Sequence, residues 1–127
     1  MNTDLLYALM LCETDIDGAM RRFSGDEKLY RACLRDFLDD PTMDELSRAI
    51  EQEAWDEAFT AAHALKGLAG NMGFVPLFHA IAELVVLIRA GRIRELDASN
   101  RKVWLCYRDV TDAIRLHNSV TDGGAQA

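Results

Sequence analysis

Apolar residues recur at steps of three and four along nearly the whole chain, and only two prolines and eight glycines interrupt them in 127 residues. That spacing places apolar side chains on one face of a helix. So few turn-forming residues leave little room for a fold of many short strands. Half of the residues are hydrophobic, enough for one sizeable core at this length. The expected fold is all-α: an antiparallel four-helix bundle with a short additional N-terminal helix. It is expected to fill residues 1–120 as a single domain, with 121–127 as a flexible C-terminal tail.

The elements can be placed from their stripes and breaks. The short helix follows Asp15 and sets Ile16, Ala19, Met20 and Phe23 on one side. Ser24-Gly25 ends it and Asp26 can cap the next, whose stripe is Leu29, Tyr30, Cys33, Leu34, Phe37 and Leu38. Pro41 breaks that helix, because it lacks a donor and obstructs the preceding turn. Thr42 and Glu45 have the spacing of a capping box for a restart. A long helix is expected from about Ala54 to Gly70, with Trp55, Ala58, Phe59, Ala62, Leu65 and Ala69 facing the core. The next, with Pro76 in its first turn, runs to Gly91, and the last spans about Asp97 to His117.

Several function classes are disfavoured. A formal charge of −7 argues against nucleic acid and anionic membrane surfaces as partners. No apolar run approaches the roughly 18 residues of a membrane span. The N-terminal stretch carries Asp4 and no basic leader, unlike a signal peptide, so a cytoplasmic location is expected. Cys12, Cys33 and Cys106 are odd in number and far apart, which suits reduced thiols better than disulfides or zinc. Metal binding needs three or four converging ligands, and His63, His79 and His117 show no ligand spacing, so no metal is expected. His79 and His117 read as ordinary surface or boundary histidines.

The stretch that carries chemistry is AAHALKGLAGNMGF, residues 61–74. At about 100° per residue, Lys66, Gly67 and Gly70 fall on the same strip as His63, beside the core stripe and not on it. His63 is therefore expected at an exposed edge, where neutral imidazole can act as a nucleophile. Lys66 can reach the same surface and could pair with phosphoryl oxygens; the alternative is a solvated lysine. Gly67 and Gly70 each cost a helix about 1 kcal/mol relative to alanine. That cost leaves bare backbone for another protein to approach, although Gly67 could equally serve a close helix-helix contact. Gly70 and Gly73 also read as a helix end and turn. The run is no phosphate-binding P-loop, since its lysine precedes the glycines and no strand leads into it.

His63-Ala64-Leu65-Lys66-Gly67, followed by Gly73, resembles the H-x-L-K-G-x-x-x-x-x-G signature of histidine phosphotransfer (HPt) domains. DIDGAMRRFSGDEKLYRACLRDFL is similar to that family's N-terminal stretch, and the likeness covers about residues 13–116. The resemblance implies that His63 accepts a phosphoryl group from a receiver-domain phospho-aspartate and passes it to another receiver's aspartate. Lys66 would be the electrostatic helper and Gly67 the steric opening, with Ile16, Met20 and Gly70 at the docking surface. Response-regulator receiver domains and a hybrid sensor histidine kinase would be the partners of a monomeric chain. Magnesium would belong to the receiver, and this chain would need no cofactor. With no ATP-binding segment it would be a phosphotransfer intermediate, not a kinase. One departure stands out: the family often has an acidic or amide residue after a leucine in the following helix, and here the pair is Leu84-Val85. That departure motivates the alternative of a receiver-binding helical module without transfer activity.

Overall fold

The first three helix starts of the chain are set by short polar side chains that accept from otherwise unpartnered amides. Asn2 accepts from the Leu5 N–H at 2.7 Å, Asp15 from Gly18 at 3.0 Å and Asp26 from Leu29 at 3.0 Å. The computed structural model describes the backbone of residues 1–126 and the side chains of residues 1–117. Its helices are α1 (Thr3–Leu11), α2 (Ile16–Arg22), α3 (Glu27–Asp39), α4 (Thr42–Glu51), α5 (Trp55–Met72), α6 (Val75–Ala90) and α7 (Ile93–Gln126). The only sheet-like feature among the described residues is an isolated bridge between Thr14 and Phe74. The flexible tail expected over 121–127 lies outside the residues described with side chains.

The all-α bundle expected from periodicity is the observed fold. Its four arms are the bent α3–α4 pair, α5, α6 and α7. Helix α5 packs between α4 and α6, and α7 packs against α6 and α3. Across the bundle the Trp104 indole N–H donates to Ser47 Oγ at 2.9 Å, joining α7 to α4. Leu34, Leu46, Leu65, Leu77, Ile81, Leu84 and Val103 fill the interior, and Phe37 meets Phe74 edge-on with centroids 5.1 Å apart. Among the described residues no helix is long and apolar enough to cross a membrane.

The structure differs from expectation at several places. Helix α1 was not foreseen, because TDLLYALML is apolar on more than one side and shows no single stripe; Leu5 and Leu9 are buried where α1 lies on α7. The capping box at Thr42 does not form. Thr42 is the first residue of α4, and its N–H is taken by the Asp40 carboxylate at 2.8 Å across Pro41. Helix α7 begins at Ile93, four residues before Asp97.

Helix α5 also runs past Gly70 to Met72, and its left-handed cap is Gly73, at φ +81°. Three segments hold this end. The buried Tyr30 hydroxyl donates to the Met72 carbonyl at 2.7 Å, Arg22 Nε to Asn71 O at 3.0 Å and the Asp15 N–H to Gly73 O at 2.8 Å. Burial pushes the Tyr30 phenol well above its ordinary range. The three cysteines are free and half-buried. Burial, helped by Asp109, pushes the Cys12 and Cys106 thiols up, which disfavours the reactive thiolate.

Candidate functional site

The long stripe of small residues on α5 decides which of its side chains reach solvent. Ala58, Ala62, Leu65 and Ala69 are buried, which turns the next strip of the helix outward. His63 and Gly67 are exposed on that strip, and Lys66 and Gly70 are half-buried beside it. The His63 ring lies parallel to Phe59, one turn earlier, with centroids 6.0 Å apart and planes 7° from parallel. The Arg89 guanidinium, from α6, lies over Phe59 at 5.2 Å from its centroid. Lys66 Nζ stands over the Phe78 ring at 5.9 Å. Both cations flank the His63 strip, each resting on an aromatic face.

The glycines of the strip differ in what they leave room for. A Cβ on Gly67 would meet nothing within 4 Å, so no internal helix contact requires glycine there. A Cβ on Gly70 would come within 3.3 Å of the Phe78 ring, and its bareness lets that ring lie against α5. Gly70 also lines a cleft of about 250 Å³ with Asp15, Arg22, Phe78 and His79. The Gly70–Phe78 and Phe59–Arg89 contacts fit one antiparallel register of α5 and α6, which sets His63 level with Val85. Leu84 and Val85 are both buried. The nearby acid of α6, Glu83, is turned to Lys102 of α7 at 3.8 Å. Among the described residues His63 makes no hydrogen bond or ion pair; its recorded neighbour is Phe59.

A family model, the Hpt domain, matches residues 30–115, more than half of the chain. The chain belongs to the Hpt domain family. No curated protein and no solved structure gave a match. Hpt domains act as phosphotransfer carriers in phosphorelays. The matched segment of this Hpt domain opens at Tyr30 inside α3, so α1 and α2 precede it, and it contains the whole His63–Gly73 stretch.

The structure thus brings His63, Lys66 and Gly67 together on one surface of the Hpt domain. Gly70 lies two turns on, about 10 Å along the axis. Ile16 and Met20 are half-buried on α2 and pack against the core. Helix α2 is tied to the far end of this strip, through Asp15 and Arg22. Sequence reasoning missed Phe59, Phe78 and Arg89 as neighbours of the site. In the sequence pattern Phe59 belongs to the core stripe, although its i−4 spacing from His63 also places it beside that ring. Phe78 and Arg89 come from the opposite helix and needed the register.

Gly67→Ala is expected to stabilise the fold by up to about 1 kcal/mol, since it adds helix propensity in open space. Gly67→Leu should fold equally well and yet slow phosphoryl exchange with a receiver on the order of 10²-fold, by displacing the incoming surface by about an ångström or more. Thermal unfolding and single-turnover transfer on the same two variants check this. Transfer at the wild-type rate through Gly67→Leu would remove the steric argument.

Proposed function

We propose that this Hpt domain is a phosphorelay intermediate that carries the phosphoryl group on His63. A receiver phospho-aspartate is the donor and another receiver's aspartate the acceptor, with a hybrid sensor histidine kinase supplying the first. In the forward step an imidazole nitrogen attacks phosphorus in line. The bond from phosphorus to the aspartyl oxygen breaks, and the carboxylate leaves with the electron pair. Such chemistry depends on placement and on charge stabilisation more than on covalent machinery. This chain supplies a nucleophile on a rigid helix, with Lys66 to meet the phosphoryl oxygens and Gly67 to admit the receiver. Ile16, Met20 and Gly70 belong to the docking surface. The receiver brings magnesium, and the chain works as a monomeric cytoplasmic bundle over residues 1–120 without kinase activity of its own.

The observation that carries this reading is the exposure of His63 on one face with Lys66 and the empty space over Gly67. The test is a labelled phospho-receiver mixed with the full chain. Label should move to the chain, be lost in acid and survive base, as phosphohistidine does and an acyl phosphate does not. Label that survives acid, or that never leaves the receiver, would overturn the proposal. One observation favours a second reading, a receiver-binding module without transfer: among the described residues no polar partner orients the His63 ring, and Leu84 and Val85 are buried at its level. Receiver binding without movement of label is the result that selects it.

A further inference from the structure

The ring of His63 is exposed, and among the described residues none donates to it or accepts from it to fix its plane. An imidazole on an exposed helix site can turn about its Cβ–Cγ bond across a broad, roughly two-fold well. In-line attack needs the reacting nitrogen held in one direction, because small angular errors in a near-attack arrangement cost rate steeply. Something other than a polar partner must therefore restrict that rotation if the site is to work.

Phe59 is placed to do so. It precedes His63 by four residues, the spacing at which helix side chains meet. The two rings are 7° from parallel with centroids 6.0 Å apart, inside the range of offset-stacked pairs. Phe59 is itself held. It is half-buried against the core, and Arg89 reaches across from α6 to lie over its ring at 5.2 Å. Trp55, Ile88 and Arg89 line a shallow cleft beside it.

We infer that Phe59 is the positioning residue of this site: its ring sets the plane of the His63 imidazole, in place of a hydrogen-bonding side chain. The inference rests on the phosphorelay reading and deepens it. Stacking fixes the plane of the ring but leaves both ring nitrogens free, so the nitrogen that bonds to phosphorus is not obstructed. It also tolerates the change in ring charge that accompanies phosphorylation, since an aromatic face accepts neutral and cationic partners alike.

The test uses the full chain and phosphoramidate, a small donor that needs no receiver surface. In that reaction the donor's phosphorus–nitrogen bond breaks, a bond from phosphorus to the His63 ring forms, and ammonia leaves. Phe59→Leu keeps apolar bulk and removes the ring face. It should lower the maximal rate at saturating phosphoramidate five-fold or more, leave the concentration for half-maximal rate within two-fold, and lower the melting temperature by no more than several degrees, with the chain fully folded at the assay temperature. Phe59→Tyr should restore the rate to within two-fold of wild type. Proton NMR gives a second readout: the His63 ring protons should keep nearly their wild-type shifts in Phe59→Tyr and move in Phe59→Leu. A wild-type rate in Phe59→Leu, or His63 ring protons that do not move, would overturn the positioning role alone. Failure of the wild-type chain to be phosphorylated on His63 by either donor would overturn the relay reading beneath it.

Discussion

His63→Gln is expected to abolish phosphoryl uptake and to leave the fold intact. Glutamine is close in size and polarity, but its amide nitrogen has no lone pair available for attack on phosphorus. The structural cost should be small. The ring is exposed and, among the described residues, makes no hydrogen bond; its recorded neighbour is the parallel Phe59 ring. Surface changes of this kind alter stability by about 0.5 kcal/mol, with the lost stack adding at most roughly 1.5 kcal/mol. Labelled transfer from a phospho-receiver and urea unfolding on the same preparation measure the two effects. His79 and His117 serve as internal controls, and substituting either should leave uptake unchanged. Undiminished uptake by His63→Gln would place the phosphoryl group elsewhere on the chain and end the case for His63.

The second large effect concerns stability. Gly73→Val should lower unfolding free energy by about 3 kcal/mol or more. Gly73 sits at φ +81°, a region that costs a residue with a side chain about 1–2 kcal/mol and a β-branched one more. A Cβ there would also stand 2.6 Å from the Asp15 carbonyl oxygen and 3.5 Å from the Ala19 Cβ. The first of these is main chain, which cannot swing aside as a flexible side chain could, and relieving such overpacking costs a further 1–3 kcal/mol or so. The denaturant midpoint reads the sum, and a midpoint equal to wild type would contradict it. The pairing with Gly67→Ala is instructive. Two glycines six residues apart, in one signature, are expected to respond to an added carbon with opposite signs.

That contrast shows what the sequence could and could not disclose. The stripe Ala58, Ala62, Leu65 and Ala69 was legible because burial on a helix repeats with the helical period, and the exposure of His63 followed from the same count. The cap at Asp26 and the helix start after Asp15 were legible because such signals are local. The reasons for the glycines were not. Gly67, Gly70 and Gly73 are alike as letters, yet the first faces empty space, the second admits Phe78 from α6 and the third meets the Asp15 backbone. Those distinctions depend on chain segments remote in sequence. The same limit hid Arg89 and Phe78, whose place beside the site depends on how α6 lies against α5. Helix α1 was missed for a different cause: a segment apolar on several sides carries no period to detect.

The last two carbonyls of the site-bearing helix, those of Asn71 and Met72, and that of its cap Gly73 are engaged by Arg22, Tyr30 and Asp15 from three separate stretches of chain. Helix ends ordinarily fray, because their final carbonyls lack partners within the helix. Here the terminus is anchored like the fixed end of a beam. That end of the platform beneath the imidazole resists unwinding, so any fit to a docking protein's contour has to come from that protein's own surface.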